Sequence, residues 1–155
     1  MHLTKFSDYS LRVLLLAATR EDQRVTIDET ATAFGISQGH LKKVVLAMTR
    51  AGYLRGFKGR NGGYVLAKKA EEINLGAVLR ITETEFSMFE CVQDGQCCPI
   101  LGACILPSVG RKAVNAFLAV FDEVTLADVT LPGSAFHFMN LKAGDLPRDF
   151  SSICD

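Results

Sequence analysis

The amino-acid sequence predicts a mainly α-helical fold with a small β-hairpin, namely a winged helix-turn-helix followed by a long C-terminal dimerisation helix. Three observations predict this class. Two amphipathic helical segments flank a glycine-containing turn, and two short apolar runs flank a basic, glycine-rich turn directly after them. A later helical segment is apolar on more than one face, which favours packing against a second copy of the chain over merely covering the core. The 155 residues, 48% of them apolar, suffice for one domain, or one small domain with an added element.

The first predicted helix spans residues 7–19 and is opened by Ser7 and Asp8. Its apolar stripe consists of Phe6, Tyr9, Val13, Leu14, Leu16 and Ala17. The apolar stretch 13–18 is far too short to span a bilayer, and the N-terminus lacks a basic start followed by a long apolar run. We therefore expect a soluble, cytoplasmic protein.

Two short helices joined by a tight turn follow. Thr26 and Glu29 match a capping box, in which the threonine hydroxyl and the glutamate carboxylate each accept a backbone amide of the other residue. The helix that they open is predicted to end at Gly35, because glycine readily adopts the left-handed conformation of a helix C-terminus. Ser37 is expected to cap the second helix, which ends at Gly52. The inner stripe of this helix is formed by Leu41, Val44, Val45 and Met48.

Two strands are predicted at residues 53–55 and 64–66. The Asn61-Gly62-Gly63 turn between them favours a hairpin, since asparagine and glycine tolerate the positive φ angles that tight hairpin turns need. A helix-turn-helix followed directly by a basic hairpin is a winged helix, an architecture that binds DNA and also serves as a protein-interaction module.

The C-terminal half contains two further helices. A short one is predicted at residues 75–81, and a longer one over about residues 108–123 is opened by Pro107 and Ser108. Residues 125–128 can add one more turn. We divide the chain into a winged-helix DNA-binding domain (1–80), a cysteine cluster-binding loop (81–106), a dimerisation helix (107–131) and a loose C-terminal tail (132–155).

The charge of the chain is unevenly distributed. Residues 1–80 carry 13 basic and 7 acidic side chains, whereas residues 81–155 carry 4 and 10. No acid occurs between Thr30 and Ala70, a stretch that contains Lys42, Lys43, Arg50, Arg55, Lys58, Arg60, Lys68 and Lys69. A basic stretch of a single sign is expected of a surface that binds a polyanion, and a solvated basic face on an ordinary domain is the alternative.

The second helix of the helix-turn-helix is the candidate recognition helix, because its N-terminal end enters the major groove in this motif. Ser37 and Gln38 can bond a phosphate or a base edge, and the helix dipole favours phosphate there. Lys42 and Lys43 are expected to contact phosphates. His40 is either a base reader or a surface histidine without a role.

The hairpin offers a second set of candidate DNA contacts. Lys58 and Arg60 are placed to reach an adjacent minor groove, where the negative potential favours cationic side chains. Asn61, in the turn, is the third candidate.

Four of the five cysteines lie within the fourteen residues from Cys91 to Cys104. In a reducing compartment such a cluster is typical of metal binding rather than of disulfides. Three usable thiolates at wide spacing suit an iron–sulfur cluster better than a zinc site, which prefers paired Cys-x-x-Cys steps.

The chain resembles the winged-helix iron–sulfur repressors, over roughly residues 1–130. The resemblance rests on the opening segment 3–14, on Ile36-Ser37-Gln38-Gly39-His40-Leu41, on the wing 58–64 and on the cysteine loop. The nitric-oxide-sensing (NsrR-type) branch of the family fits best. The iron–sulfur cluster regulator branch has a histidine three residues after its last cysteine, and Pro107 stands there in this chain.

This resemblance implies a cytoplasmic homodimer that represses transcription from double-stranded operator DNA and releases it when its cluster is nitrosylated or lost. It implies Cys91, Cys98 and Cys104 as ligands, with Cys97 as an alternate. Asp8 would supply a fourth ligand from the partner subunit. A 4Fe–4S cluster is favoured, with 2Fe–2S as the alternative, and nitric oxide is the expected signal.

Two other functions remain open at this stage. The first is an iron- or redox-status regulator of the same family, and the second is a zinc- or disulfide-stabilised interaction module. We do not expect an enzyme, because the sequence contains no nucleophile motif, paired-carboxylate pattern or phosphate-binding loop.

Overall fold

The computed structural model describes residues 2–20, 23–59, 62–90 and 98–132. Helices, one antiparallel hairpin and one 3-10 turn follow one another along these residues. In chain order they are α1 (Lys5–Thr19), α2 (Ile27–Phe34), α3 (Gln38–Arg50), β1 (Leu54–Phe57), β2 (Gly63–Leu66), the 3-10 turn (Ala70–Glu72), α4 (Leu75–Thr82), α5 (Leu106–Asp122) and α6 (Leu126–Val129). The predicted fold class is confirmed, whereas the predicted tail lies outside the described residues from position 133 onward.

Helix α1 begins two residues before the predicted position because Thr4, and not Ser7, is its N-cap. The amide of Ser7 donates to Thr4 Oγ1 at 3.2 Å. Ser7 is itself buried, and its hydroxyl donates to Thr82 Oγ1 at 2.7 Å. A residue that resembles a cap in the sequence therefore joins the start of α1 to the end of α4.

The helix-turn-helix forms as predicted. Both hydrogen bonds of the capping box are present, with Thr26 N donating to Glu29 Oε2 at 2.7 Å and Glu29 N donating to Thr26 Oγ1 at 3.1 Å. Gly35 ends α2 with a φ of 63°, a backbone angle that residues with a Cβ rarely adopt. The turn is thus fixed by local interactions that the sequence already contains.

The hairpin is antiparallel, with Leu54 opposite Leu66 and Phe57 opposite Gly63. It is joined to the segment before α2, since Tyr64 N donates to Val25 O at 2.8 Å and Val25 N donates to Tyr64 O at 2.9 Å. Gly63 permits this approach, because a Cβ there would lie 2.6 Å from Val25 O and its φ is 151°. The wing is therefore attached to the helix-turn-helix by backbone as well as by packing.

The core lies between α1, α3 and the hairpin. Its largest fully buried side chains include Leu14, Leu16, Leu41, Met48, Tyr64 and Leu79. The phenol of Tyr64 is satisfied inside this core by Thr30 Oγ1, 2.7 Å away. Burial raises the pKa of Tyr64 well above its usual value, so the phenol stays neutral.

Helices α4 and α5 approach closely at Gly76, where a Cβ would collide with the carboxylate of Asp122. Arg80 on α4 forms a bidentate ion pair with Asp122 at the end of α5. The distance from Arg80 Nη2 to Asp122 Oδ2 is 2.8 Å. Asn74 Nδ2 also donates to the backbone carbonyl of Asp122 at 2.7 Å. These contacts attach the long helix to the winged-helix core.

The ion pair predicts an acid dependence of stability. Hydrogen bonding from Arg80 holds the pKa of the Asp122 carboxyl below its usual range. A carboxyl with a lowered pKa stabilises the fold above its unfolded pKa, about 4, and this contribution disappears as the pH falls through the folded pKa. In urea unfolding series we expect the gap in unfolding free energy between the parent and Asp122→Asn to be open near pH 6 and to close towards pH 3.

The neighbouring Glu123→Gln is the matched control for this prediction, because it removes a charge beside the pair and leaves the pair intact. Its unfolding free energy should follow the parent. A gap for Asp122→Asn that stays constant from pH 6 to pH 3 would show that the ion pair does not contribute.

Within the described residues, no helix is both long enough and apolar enough to cross a bilayer.

Candidate nucleic-acid interface and cysteine loop

Helix α3 divides into a buried face and an exposed basic face. Leu41, Val44 and Met48 are at most 1% exposed. The opposite face is exposed and carries Gln38, Gly39, Lys42, Lys43, Leu46 and Arg50. The inner stripe was predicted and is confirmed, apart from Val45, which is only partly buried. Sequence reasoning did not single out Leu46, which is 52% exposed among these basic residues.

Ser37 is the N-cap residue of α3, as predicted, but its side chain makes no capping hydrogen bond. Its Oγ instead lies 2.8 Å from His40 Nδ1. The ring of His40 also lies beside Tyr9 of α1, with the ring centroids 6.1 Å apart. His40 is therefore a contact between the recognition helix and the first helix, a role that the sequence alone did not indicate.

The wing carries stacked arginines as well as Lys58. Lys58 is exposed at the end of β1, while Arg60 and Asn61 lie outside the described residues. The guanidinium groups of Arg24 and Arg55 lie over the ring of Phe57, at 4.0 Å and 5.5 Å from its centroid. These stacked arginines were not predicted as DNA contacts. The pairing of Val25 with β2, which brings Arg24 to the wing, has no signal in the sequence.

Two of the predicted cysteine ligands lie in the described part of the loop. Cys98 and Cys104 are half-buried free thiols. Two consecutive turns fold the chain between them, since Leu101 N donates to Cys98 O at 3.0 Å and Cys104 N donates to Ile100 O at 2.9 Å. Cys91 and Cys97 lie outside the described residues. Among the residues that are described, no three His, Cys, Asp or Glu side chains come together as a metal site.

Asp8 lies on the outer side of the first turn of α1. Its Oδ1 accepts a hydrogen bond from Arg12 Nε at 3.0 Å, and its side chain is 43% exposed. The guanidinium of Arg12 lies 5.8 Å from the ring centroid of Phe34 on α2. Asp8 is thus accessible to solvent, and its pairing partner touches the helix-turn-helix.

The loop is attached to the long helix α5 through an aromatic contact. Gly110 of α5 lies under Phe89, and a Cβ at this position would be 2.9 Å from Phe89 Cε2. Close packing at this point holds the segment that leads into the cysteines against α5.

One face of α5 is covered by the rest of the subunit, and a second apolar face is not. Pro107, Gly110 and Leu118 are buried. An exposed apolar stripe consists of Leu106, Val109, Ala113, Ala116 and Val120. These positions alternate in steps of three and four, the spacing of a helix that packs along another helix. Val109 and Val120 are 50% and 64% exposed.

A recognition helix with an exposed basic face and a hairpin wing define a winged-helix DNA-binding transcriptional regulator. The family model of Rrf2, described as an iron-dependent transcriptional regulator, matches residues 3–131. The chain belongs to this family. Its members regulate transcription through DNA, and the protein is accordingly a transcriptional regulator and not an enzyme.

An individual relative agrees with this assignment. The chain is similar to the HTH-type transcriptional regulator NsrR of Geobacillus kaustophilus, with 44% identity over 131 residues that cover 83% of this chain and 89% of the relative. The resemblance recognised in the sequence is thereby confirmed.

Solved structures of similar fold include two regulators of low sequence identity. CymR, the global cysteine regulator of B. subtilis, has a TM-score of 0.64 and 21% identity, and covers 87% of this chain and 98% of its own. IscR of T. potens has a TM-score of 0.66 and 19% identity, and covers 98% of this chain and 96% of its own. At these identities both support the fold alone.

Proposed function

We propose that the protein is a homodimeric repressor that holds an iron–sulfur cluster and releases its operator in response to nitric oxide. One observation carries the proposal. Asp8, the carboxylate that the family resemblance assigns to the cluster, adjoins Tyr9, and Tyr9 contacts His40 on the recognition helix. Only Tyr9 therefore separates Asp8 from a residue of the recognition helix.

The donor set fits an iron–sulfur cluster. Cys98 and Cys104 are free thiols on one tightly turned loop, and Cys91 would complete a set of three sulfur ligands. Thiolates bind iron strongly, whereas a carboxylate such as Asp8 is a harder and weaker ligand. When bound, the cluster would supply an iron centre that reacts with nitric oxide.

The residues around Asp8 provide a route to the recognition helix. In the described arrangement the carboxylate is paired with Arg12, whose guanidinium lies over Phe34 of α2. If Asp8 served instead as a ligand for the partner subunit, Arg12 would lose its ion pair and the first turn of α1 would shift. Because Tyr9 directly follows that turn and touches His40, such a shift would alter the position of α3. Asp8 would thus have two states, one paired with Arg12 and one acting as a ligand, and this mechanism needs such a two-state element.

Dimerisation would place two recognition helices on one operator. The exposed stripe of α5 between Leu106 and Val120 is the surface that we assign to the contact between subunits. Its spacing suits a second copy of the same helix, and a two-fold dimer presents two half-sites of a palindromic operator. This supports α5, which makes up most of residues 107–131, as the dimerisation helix. Residues 81–106, which contain the candidate cysteine ligands, would form the cluster loop.

The DNA contacts that we propose fall into two groups. Gln38, His40, Lys42 and Lys43 would enter the major groove with the first turns of α3, where Ser37 lies at the N-cap. Lys58, together with Arg60 and Asn61, would contact the minor groove from the wing. Residues 1–80 would then form the DNA-binding domain.

The proposal is tested by operator binding of anaerobically purified protein, titrated with nitric oxide and followed by visible absorption. We expect brown protein containing iron and acid-labile sulfide, with operator affinity falling as the absorption changes. Release by iron chelation but not by nitric oxide would instead identify a regulator of iron status. Colourless protein without iron would contradict the cluster.

Replacement of Asp8 by alanine should leave the fold intact and weaken either retention of the cluster or the response to nitric oxide. An exposed ion pair contributes only about 0.2–1 kcal/mol, so the melting temperature should hardly change. The coupling to operator binding, of the order of 1–3 kcal/mol in allosteric proteins, should be reduced. Iron content and operator affinity before and after nitric oxide give the measurement.

Arg12→Ala is the matched control, because it breaks the same ion pair and keeps the carboxylate. It should retain the cluster. If Asp8→Ala keeps both the stability of the cluster and the release of the operator, Asp8 has no ligand role and is simply a helix N-terminal acid stabilised by the helix dipole.

A further inference from the structure

A hydrogen bond across the helix-turn-helix holds the side chain of Gln38. Gln38 Nε2 donates to Asp28 Oδ1 at 2.5 Å, between residues ten positions apart. Asp28 lies in the first turn of α2, and Gln38 is the first residue of α3. Both are exposed. The bond therefore lies at the end of the recognition helix where base edges are read in this motif.

Asp28 determines the orientation of the Gln38 amide, that is, whether its NH2 group or its carbonyl faces the carboxylate. An ionised carboxylate only accepts hydrogen bonds, so it binds the NH2 group of the amide and not the carbonyl. One N–H is used in this bond, which leaves the second N–H and Oε1 for another partner. A hydrogen bond to a charged acceptor also polarises the amide and makes Oε1 a better acceptor.

We propose that Asp28 is a positioning residue that sets Gln38 to recognise adenine. Adenine presents the N7 acceptor and the N6–H donor side by side in the major groove, and a glutamine amide matches both with its N–H and its oxygen. The match requires Asp28 to take the N–H that points away from Oε1. The inference rests on the proposed function, since α3 must lie in the major groove.

The residue after Gln38 is consistent with close approach to the bases. A Cβ at Gly39 would meet nothing within 4 Å, so packing within the subunit does not require glycine there. The missing side chain leaves room for the first turn of α3 to come close to the base edges. Asp28 itself could alternatively accept a hydrogen bond from N4 of cytosine, and the experiment below separates the two arrangements.

The test uses the full chain and a library of duplexes with randomised half-sites, scored for base preference at each position. The parent should prefer adenine by at least about fivefold at one position of each half-site. Gln38→Ala should abolish this preference. Asp28→Asn should reduce it to about twofold or less, because asparagine can donate to Oε1 and allow the amide to turn round. The double variant should show the same profile as Gln38→Ala.

Controls separate positioning from charge and from folding. Removing an acid near DNA raises affinity for all sequences alike, so Glu71→Gln, an exposed acid outside the helix-turn-helix, should leave the base profile unchanged. Circular dichroism checks that Asp28→Asn still folds.

Unchanged adenine preference in Asp28→Asn, or adenine preference that survives Gln38→Ala, would overturn the inference. A cytosine preference lost in Asp28→Asn but kept in Gln38→Ala would overturn it as well, because Asp28 would then be the reader. If the parent shows no base preference at any position, the proposed function fails and this inference fails with it.

Discussion

Replacing Cys91, Cys98 and Cys104 together by serine is expected to abolish iron binding and the response to nitric oxide, while the winged helix stays folded. Serine retains the shape of cysteine but lacks the soft thiolate that iron–sulfur clusters require. Cys98 and Cys104 are only half-buried and lie outside the core around Leu14 and Tyr64, so unfolding of the cluster-free forms should differ by less than about 1 kcal/mol.

Operator affinity of the triple variant should equal that of the parent after nitric oxide. With a coupling of the order of 1–3 kcal/mol, this is a fall of roughly 5- to 150-fold from the cluster-loaded parent. Iron and sulfide analysis and operator titration under nitrogen give the measurement. Iron content and operator affinity should fall together, because the same ligands hold the cluster and fix the loop.

Cys97→Ser and Cys154→Ser are the matched controls, since each removes one thiol outside the favoured set of three. Cys97 is the alternate ligand, and Cys154 is the fifth cysteine of the chain, far from the other four in sequence. Both should keep iron and the response to nitric oxide. Loss of iron in Cys97→Ser alone would move the ligand assignment from Cys98 to Cys97. A triple variant that still releases its operator on exposure to nitric oxide would exclude the cluster as the sensor.

Val109→Asp combined with Val120→Asp is expected to convert the protein to a monomer and to reduce operator affinity by at least about a hundredfold. The two side chains are 50% and 64% exposed in the single subunit, so charging them costs the monomer little. Between two helices the same charges would be desolvated and mutually repulsive. Loss of the dimer removes the high effective concentration with which the second half-site binds.

Asn115→Asp provides the control for charge on α5, because Asn115 is exposed but lies outside the stripe. Its mass in solution, measured by light scattering or sedimentation, should equal that of the parent. If the double aspartate variant remains a dimer, the subunits associate through another surface. If it is monomeric and still binds the full operator with parental affinity, dimerisation is not what places the two recognition helices.

The sequence alone determined the order of elements and most of their limits. The capping box of Thr26 and Glu29 and the stop at Gly35 involve residues at most four positions apart, so their hydrogen bonds form wherever the segment becomes helical. The same holds for the capping box of Thr125 and Asp128, which opens α6. Periodicity identified the inner stripe of α3, because burial there follows from helical geometry.

Only the tertiary structure decided how these elements are joined and what their polar side chains do. Ser37 is the N-cap of α3, but its hydroxyl contacts His40 instead of a backbone amide. His40 in turn touches Tyr9, and Gln38 is held by Asp28. Thr4, rather than Ser7, opens α1, because packing draws Ser7 to Thr82 in α4. A contact between residues far apart in the chain depends on the packing of whole helices, which local patterns cannot specify. The candidate ligands and basic residues can therefore be named from the sequence, whereas the contacts that would connect them to DNA follow from the fold.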